Sequence, residues 1–341
     1  MNEKRKYYLL LLIILIAGVL IGFSGLFLGR FLVPPKEVLN TIADSLNSYI
    51  FGIGTKPEGI YRVVVMNIRL PRILLNIIVG ASLAVAGTAY QGIFCNQLVS
   101  PDVLGVSAGA GFGASLGIIL TSSVGTVTTS LALAFGLLSV FLTFTISKLG
   151  KTSSPLTLVL SGMIVSSVFN ALISLMKFIA DVEDQLPVIT FWLLGSFSNT
   201  TYADVISIIV PVTVGILVIM AMRWKLNILS LGDEEAHTLG VDAKRVRTII
   251  IVAATVITAA CVTVTGIITW VGLVLPNICR ILIGSDHRYL LPLSCVSGSI
   301  FMIIVDLIAR TLTAAEIPIG VLTALVGAPF FAFSFYQMER N

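Results

Sequence analysis

Few side chains in this sequence are able to carry out chemistry. Its two histidines, His237 and His287, are far apart, and none of its four cysteines forms a CxxC pair. The cysteines lie in or beside apolar segments, where we interpret them as small core residues: Cys95, Cys261, Cys279 and Cys295. The sequence therefore predicts no catalytic residue and no metal site in this chain.

A possible nucleotide motif is the GKT within Leu149–Ser154. A phosphate-binding loop of the form G-x-x-x-x-G-K-[ST] needs glycine at position 145, which is Thr145 here, and no strand precedes the segment. We therefore expect no cofactor on this chain and no ATP bound by this route.

One acidic residue, Asp306, lies inside an apolar segment, four positions before Arg310. This spacing places the two side chains on one face of a helix, where we expect them to pair. Proton-driven transporters and membrane enzymes need larger sets of ionisable residues, which this sequence lacks. Sodium coupling through backbone carbonyls is left open.

The segments that carry these residues are strongly apolar. Of 341 residues, 57% are hydrophobic and 11% are charged, and the mean hydropathy is +1.03, whereas soluble domains average about 45–50% and 25%. This composition predicts an all-α polytopic membrane protein with about ten transmembrane helices, in a single domain of residues 1–341. The predicted spans are Tyr7–Leu28, Ile73–Phe94, Val103–Leu120, Val127–Ile146, Leu156–Met176, Val205–Met222, Val246–Ile268, Val271–Ile283, Leu290–Ile308 and Ile319–Phe335. The segment Pro187–Asn199 is too short to span and predicts an interfacial or re-entrant helix.

The distribution of basic residues predicts the orientation. An even number of spans puts both termini on one side, and thirteen of the twenty-one basic residues fall on that side or in its loops. We therefore expect a multi-pass plasma-membrane protein with cytoplasmic N- and C-termini. The polar loop at about 224–245 is then cytoplasmic.

That loop contains a short predicted helix. Asp233 is suited to its N-cap and Gly240 to its left-handed C-terminal stop, which leaves about two turns. A helix of this length is marginal in water unless it packs against something. A permease driven by a separate ATPase would need such a cytoplasmic element. Glycine and proline also interrupt Asn96–Ala114 and Gly266–Arg280, as in transporters built from internal repeats.

Several sequence blocks, in order, resemble the FecCD family, the permease subunits of type II ABC importers for iron siderophores, haem and cobalamin. The resemblance implies the type II ABC importer permease fold, in which two permease subunits surround a central pathway. The blocks are RLPRILLNIIVGASLAVAGTAYQ (69–91), PDVLGVSAGAG (101–111), WLLGSF (192–197), LSLGDEEAHTLGV (229–241), WVGLVLPNICRILIGSDHRYLLPLS (270–294), DLIAR (306–310) and EIPIGVLTALVGAPFF (316–331).

The resemblance also implies roles for individual residues, beside simpler interpretations as helix caps, snorkelling anchors or packing. The loop helix would couple to the ATPase through Leu231, Gly232, Glu235, Ala236, Leu239 and Gly240. An external pocket would receive carboxylates of a substrate-binding protein at Arg69, Arg72 and Arg310. Gates would lie at Asn96 and Leu98 and around Thr152, Ser153 and Ser154, while Ser166 and Asn170 of the fifth span either face a wet cavity or bond to neighbouring helices.

Two positions depart from the family pattern. Gln97 and Val99 replace the proline and alanine of the usual Asn-Pro-Leu-Ala, and Asn277 replaces a histidine. The first departure weakens the transfer of the gate details, and the role of Asn277 does not follow from the sequence.

The expected partners are a second permease subunit, identical or homologous, two cytoplasmic ATPases that bind ATP and Mg²⁺, and an extracytoplasmic binding protein. No nucleic acid is expected. A pathway without acidic or histidine ligands suits a bulky chelate better than a bare ion. The resemblance favours a ferric siderophore, with cobalamin or haem as the alternative, and an ATP-independent secondary transporter is the alternative of another class.

Overall fold

The computed structural model describes residues 3–51, 59–149 and 155–340. All regular elements in these ranges are helical. A π-helical segment (Val63–Arg69) joins α3 to α4, and a short 3₁₀ helix (Pro101–Leu104) precedes α5. The α-helices are α1 (Glu3–Phe27), α2 (Pro35–Phe51), α3 (Ile60–Arg62), α4 (Leu70–Ile93), α5 (Val106–Thr121), α6 (Thr126–Leu149), α7 (Pro155–Ile179), α8 (Gln185–Leu194), α9 (Tyr202–Leu229), α10 (Asp233–Thr238), α11 (Ala243–Thr265), α12 (Val271–Ile283), α13 (His287–Thr311) and α14 (Ile319–Arg340).

Each of the ten predicted spans coincides with a helix. Seven helical segments of the described chain are long and apolar enough to cross a membrane, and four further apolar helices are shorter. The shorter ones include α5 and α12, which belong to the two segments that glycine and proline were predicted to interrupt, and α8, which was expected not to span. The chain is therefore a multi-pass membrane protein.

Two helical regions were not predicted. α2 mixes polar and apolar residues, so it has no apolar window long enough to be recognised as a span. The second span begins at Ile60 and not at Ile73, because the helix continues through Arg69 and Arg72 with both side chains buried. Charge interrupts the apolar run of the sequence there without interrupting the helix.

The helix α4 is the centre of the fold, and nearly all of its side chains are buried. Glycines let its backbone touch two neighbouring helices. A Cβ added to Gly80 would lie 2.2 Å from the carbonyl oxygen of Gly298 in α13, and one added to Gly87 would lie 1.8 Å from that of Gly272 in α12. Small residues at such contacts allow close helix packing in membranes.

The two interrupted segments meet beside this contact. Both predicted interruptions begin where no α-helix is present, in the chain between α4 and α5, which contains the short 3₁₀ helix, and in the chain between α11 and α12. The α-helix resumes within each predicted interruption, at Val106 and Val271. A Cβ on Gly272 would lie 2.4 Å from the ring of Pro101, so the segments pack directly together. Trp270 has a φ of 72°, a left-handed conformation that is uncommon for a bulky residue.

We expect Gly87→Ala and Gly298→Ala to destabilise the protein, because the added methyl groups would push backbones apart. The overpacking should remove about 1–3 kcal/mol of stability. Melting temperature and monodisperse yield in detergent measure the effect. Gly125→Ala is the matched control, since nothing lies within 4 Å of its added Cβ. If Gly87→Ala had the same melting temperature as this control, the close contact between α4 and α12 would be contradicted.

Candidate functional site

The helix α10 lies on an exposed loop between α9 and α11, and we call the end of the molecule that carries it the α10 end. It is six residues long, which is slightly shorter than the predicted two turns. Its N-cap is Gly232, with a φ of 122°, and not Asp233 as expected. Gly240 has a φ of 76° and forms the predicted left-handed stop, after which the Val241 amide donates to the Ala236 carbonyl at 2.9 Å.

Asp233 ties α10 to α11 instead of capping it. Its carboxylate accepts hydrogen bonds from Arg247 at 2.8 and 3.3 Å. The hydrogen bond from Arg247 lowers the pKa of Asp233 below its ordinary value, so this tie is present above the usual carboxyl range and is lost only as the pH falls through the lowered pKa. The orientation of α10 is therefore held at neutral pH.

The six predicted coupling residues divide into two groups. Leu231 and Leu239 are 61% and 59% exposed, and Glu235 and Gly240 are also exposed, whereas Gly232 is half-buried. Ala236 is fully buried in the main core. Its assignment as a partner contact is therefore corrected: it points inward and anchors α10 to the membrane helices.

A polar cluster joins the end of α9 to the start of α13. The Asn227 side-chain amide donates to Asp286 at 2.6 Å, and its oxygen accepts from the His287 backbone amide at 2.8 Å and contacts His287 Nδ1 at 2.9 Å. Partial burial acts to raise the pKa of Asp286, but hydrogen bonds from Arg288 and Asn227 outweigh it and lower the pKa to about 2. The base of the α10 loop is thus attached to a long span.

At the opposite end, Arg72 is the centre of a buried ion-pair network. Its Nε and Nη2 donate to Asp306 at 2.8–3.2 Å, while Nη1 and Nη2 donate to the two carboxylate oxygens of Glu316 at 3.0 and 3.1 Å. Arg72 is 5% exposed and Asp306 is 2% exposed. The predicted pairing of Asp306 with Arg310 is the weaker one, with 3.8 Å between the closest atoms.

The other two predicted docking arginines are also buried, and both hold the end of α1. Arg310 Nη2 donates to the Gly25 carbonyl at 2.7 Å. Arg69 donates to the next carbonyls along, those of Leu26 and Phe27, and to Phe31. Helix C-termini leave such carbonyls without intrahelical partners, which suits a cation. The three arginines therefore lie near one another, but their donors are largely used within the chain, and their role in docking stays a prediction.

The structure describes some of the predicted gate residues. Asn96 and Leu98 lie in an exposed turn after α4, where the Asn96 side chain accepts from the Leu98 amide at 2.9 Å. Ser166 is half-buried and faces Gly105, at the start of α5, whereas Asn170 is exposed on α7. Thr152, Ser153 and Ser154 lie outside the described residues.

Sequence reasoning missed two parts of these sites. Glu316 lies in a block that carried the family resemblance, yet its pairing with Arg72 was not predicted. Asn277 was noted as a departure without a role; it bonds to Arg280 and to the Gln97 carbonyl. For both residues, the sequence signal that could have indicated a role was a charged or amide side chain isolated in an apolar stretch.

Comparison with known proteins identifies the chain. The model of the FecCD transport family matches residues 10–337. The chain belongs to the FecCD transport family. It is 40% identical to the molybdate import system permease protein MolB of Haemophilus influenzae, over 83% of this chain and 84% of that protein. It is 39% identical to the cobalamin import system permease protein BtuC of Halobacterium salinarum, over 82% and 74%.

Further comparisons extend the match to the whole chain. The hemin transport system permease protein HmuU of Yersinia pestis is 33% identical over 100% of this chain and 99% of its own length. A solved structure described as an inward-facing ABC transporter of metal-chelate type is 35% identical, with a TM-score of 0.85 over 96% of this chain and 99% of that chain. This FecCD protein is thus a permease subunit of an ABC importer.

We expect Asp306→Asn to destabilise the protein far more than Glu316→Gln. Loss of the Asp306 charge leaves buried Arg72 without its main partner, which typically costs about 3–5 kcal/mol. Glu316 is partly exposed, with 27% of its side chain accessible, so water can replace part of what is lost. Thermal melting in detergent compares the two variants. Equal shifts would contradict a network centred on Arg72 and Asp306.

Proposed function

We propose that this FecCD protein is the permease of an ATP-driven importer of ferric siderophores, which receives its substrate from an external binding protein and releases it to the cytoplasm. The observation that carries the ATP-driven part is the exposed α10 loop. It presents Leu231 and Leu239, which flank α10, to solvent, while Ala236 and Asp233 hold α10 against the rest of the chain. Exposed apolar side chains on a rigid support are typical of a docking surface.

The charge distribution supports a cytoplasmic α10 end. Basic residues cluster there, as is usual for cytoplasmic loops: Arg223, Lys225, Lys244, Arg245, Arg247, Arg280 and Arg288. The turn after α7 at the opposite end is acidic, with Asp181, Glu183 and Asp184. In this orientation both termini are cytoplasmic, and ATP and Mg²⁺ are bound by separate ATPase subunits.

The attachment of the α10 loop favours transmission of a mechanical push. Ala236 packs into the main core, and Asn227 at the end of α9 is bonded to Asp286 and His287 at the start of α13. Movement of an ATPase against α10 would therefore displace α9 and α13 together. Such rigid-body displacement of packed helices is a common form of conformational switching.

We expect Leu239→Glu to prevent the ATPase from co-purifying with the permease, because a carboxylate would replace an exposed leucine of the proposed docking surface. Loss of such an anchor typically weakens binding at least tenfold. The measurement is the amount of ATPase recovered with the tagged chain, relative to wild type. Leu312→Glu is the control, since Leu312 is 66% exposed at the opposite end. Undiminished recovery with Leu239→Glu would exclude α10 from the ATPase interface.

Docking of an external binding protein would use the arginine cluster at the opposite end. Arginine suits this role because its planar group binds carboxylates bidentately and stays charged. Glu316 already occupies one side of Arg72 and is the most exposed member of the network. An incoming carboxylate would therefore have to displace Glu316 or approach Arg310, whose Nε is buried without a hydrogen-bond partner.

The helix α7 supports a pathway shared between two permease subunits. Ser167, Asn170 and Ser174 lie along its exposed face among large apolar side chains. Ser167 and Ser174 donate to carbonyls of their own helix, so they offer a passing substrate only weak interactions. We propose that a second permease subunit, identical or homologous, faces this surface across the pathway.

The substrate proposal rests on this weakly interacting surface. α7 contains no acidic residue or histidine, the groups that a bare metal ion would require. A bulky chelate fits such a pathway, and relatives are named for iron chelatin and for hemin. Molybdate is a second candidate, because the molybdate permease of Haemophilus influenzae is 40% identical to this chain.

Uptake by cells with and without the chain tests the substrate. Each strain receives radioactive iron on a panel of siderophores and, in parallel, labelled haemin, cobalamin and molybdate. We expect only ferric siderophore uptake to disappear with the chain. Loss of uptake of one of the other three alone would retain the importer and replace its substrate. Siderophore uptake that persists without the ATPase would favour a secondary transporter.

A further inference from the structure

A network of hydrogen bonds surrounds Asn277, which lies in the middle of α12. Arg280, one turn later, donates to the Asn277 side-chain oxygen and, at 2.9 Å, to the Gln91 side-chain oxygen on α4. The Asn277 amide nitrogen donates to the carbonyls of Leu273 at 3.0 Å and Gln97 at 3.2 Å, and Gln91 also donates to Leu273 at 3.3 Å. Asn277 is 4% exposed and Gln91 is 3% exposed.

One of these bonds reaches the turn after α4, which we define as residues 94–100. Its second residue, Cys95, has a φ of 47°, in the left-handed region where glycine is usual after a helix. Within it, the Asn96 amide donates to the Gln91 carbonyl at 3.1 Å, and Asn96 caps the Leu98 amide. The bond from Asn277 to Gln97 adds a link to α12, beside the contact of the Cys95 thiol with the Leu229 carbonyl of α9 at 3.8 Å.

The helices on either side of this link are already fixed to each other. Gly87 of α4 contacts Gly272 of α12 through the backbone, so the two helices cannot slide freely. The turn after α4 is different, because Asn96 and Leu98 are exposed. Both ends of its exposed part are held, because Val99 is buried in the main core and Pro101 packs against Gly272 of α12. The Asn277 amide adds a hydrogen bond from α12 to the exposed part itself, at Gln97.

Arg280 determines which way that amide points. An amide oxygen accepts and its nitrogen donates, so a guanidinium bonded to the oxygen directs the nitrogen toward Gln97. In the described part of the chain no acidic residue forms an ion pair with Arg280, so its donors are available for the amide oxygens of Asn277 and Gln91. Charge-assisted bonds of this kind are stronger than neutral ones.

We propose that Asn277 is a positioning residue that holds the turn after α4 in place, with Arg280 orienting its amide. The proposal rests on the proposed function in one respect: it takes this turn as part of the cytoplasmic gate. Displacement of the turn would then require the Asn277–Gln97 bond to break. This assigns a role to the residue that stands where the family usually has histidine.

The native thiol of Cys95 reports directly on the turn. Cys95 is exposed, Cys261 and Cys279 are buried, and Cys295 is partly buried. We would follow the rate at which a charged maleimide modifies Cys95 in the full-length chain, in nanodiscs and in a Cys295→Ser background. This measurement needs no ATPase, binding protein or substrate.

Asn277→Asp keeps an oxygen facing Arg280 and removes the amide donor. Of the two bonds lost, the one to Leu273 lies within α12, and only the one to Gln97 reaches the turn. We expect Asn277→Asp to raise the Cys95 modification rate about fivefold, the effect of losing one such hydrogen bond. Asn277→His retains a donor and an acceptor, and we expect a rate closer to that of wild type. Asn76→Ala is the control, since it removes a buried side-chain amide at the opposite end of α4, where the amide donates to the Arg72 carbonyl at 2.9 Å.

An unchanged rate in Asn277→Asp, or an equal increase in Asn76→Ala, would overturn the proposal. If the variant does not fold, Arg280→Gln serves as a second disturbance, with modification of a Leu98→Cys thiol in a Cys95→Ser background as its readout. Loss of ATP-driven uptake in Asn277→Asp, with normal ATPase recovery, would support the gate role. If wild type shows no ATP-driven uptake, the proposed function fails, while the labelling result still decides the role of Asn277.

Discussion

The backbone contacts of α4 are the constraint on which the rest of the structure depends. Glycine at positions 80 and 87 brings this helix against Gly298 of α13 and Gly272 of α12. In a membrane, helices associate through close packing and interhelical hydrogen bonds rather than through exclusion of water. The helix α4 carries Arg72 at one end and leads into the turn after α4 at the other. The buried ion-pair network and this turn are therefore attached to one rigid helix.

The second constraint is the satisfaction of buried polar groups. A charge surrounded by apolar side chains is costly unless it is paired. Arg72 meets two carboxylates, whereas Arg69 and Arg310 meet the free carbonyls at the end of α1. The same requirement at the α10 end brings Arg280 to the amides of Asn277 and Gln91. Ion pairs and hydrogen bonds thus connect the helices at both ends of the bundle, while close packing at small residues connects them in the middle.

These two constraints separate what was predictable in the candidate sites from what was not. The left-handed Gly240 followed from local pattern, because glycine is the usual residue at the end of a helix in this conformation. The exposure of Leu231 and Leu239 did not follow, because these apolar residues could have rested on the chain's own membrane helices. The burial of Ala236 did not follow, since an alanine beside glutamates suits either face of a short helix. Similarly, four-residue spacing predicted the contact of Asp306 with Arg310, but not that Arg72 would be the closer partner.

The sequence by itself determined that the chain crosses a membrane many times, where most spans lie, and where the helices are interrupted. These properties depend on hydropathy and on backbone preferences of glycine and proline, which act over a few residues. Only the tertiary structure decided the pairing of Arg72 with Asp306 and Glu316, which are 234 and 244 positions away, and that of Asn277 with the carbonyl of Gln97, 180 positions away. Such partners are selected by which helices pack together, because a buried charge or amide bonds to whatever complementary group the neighbouring backbone brings within reach.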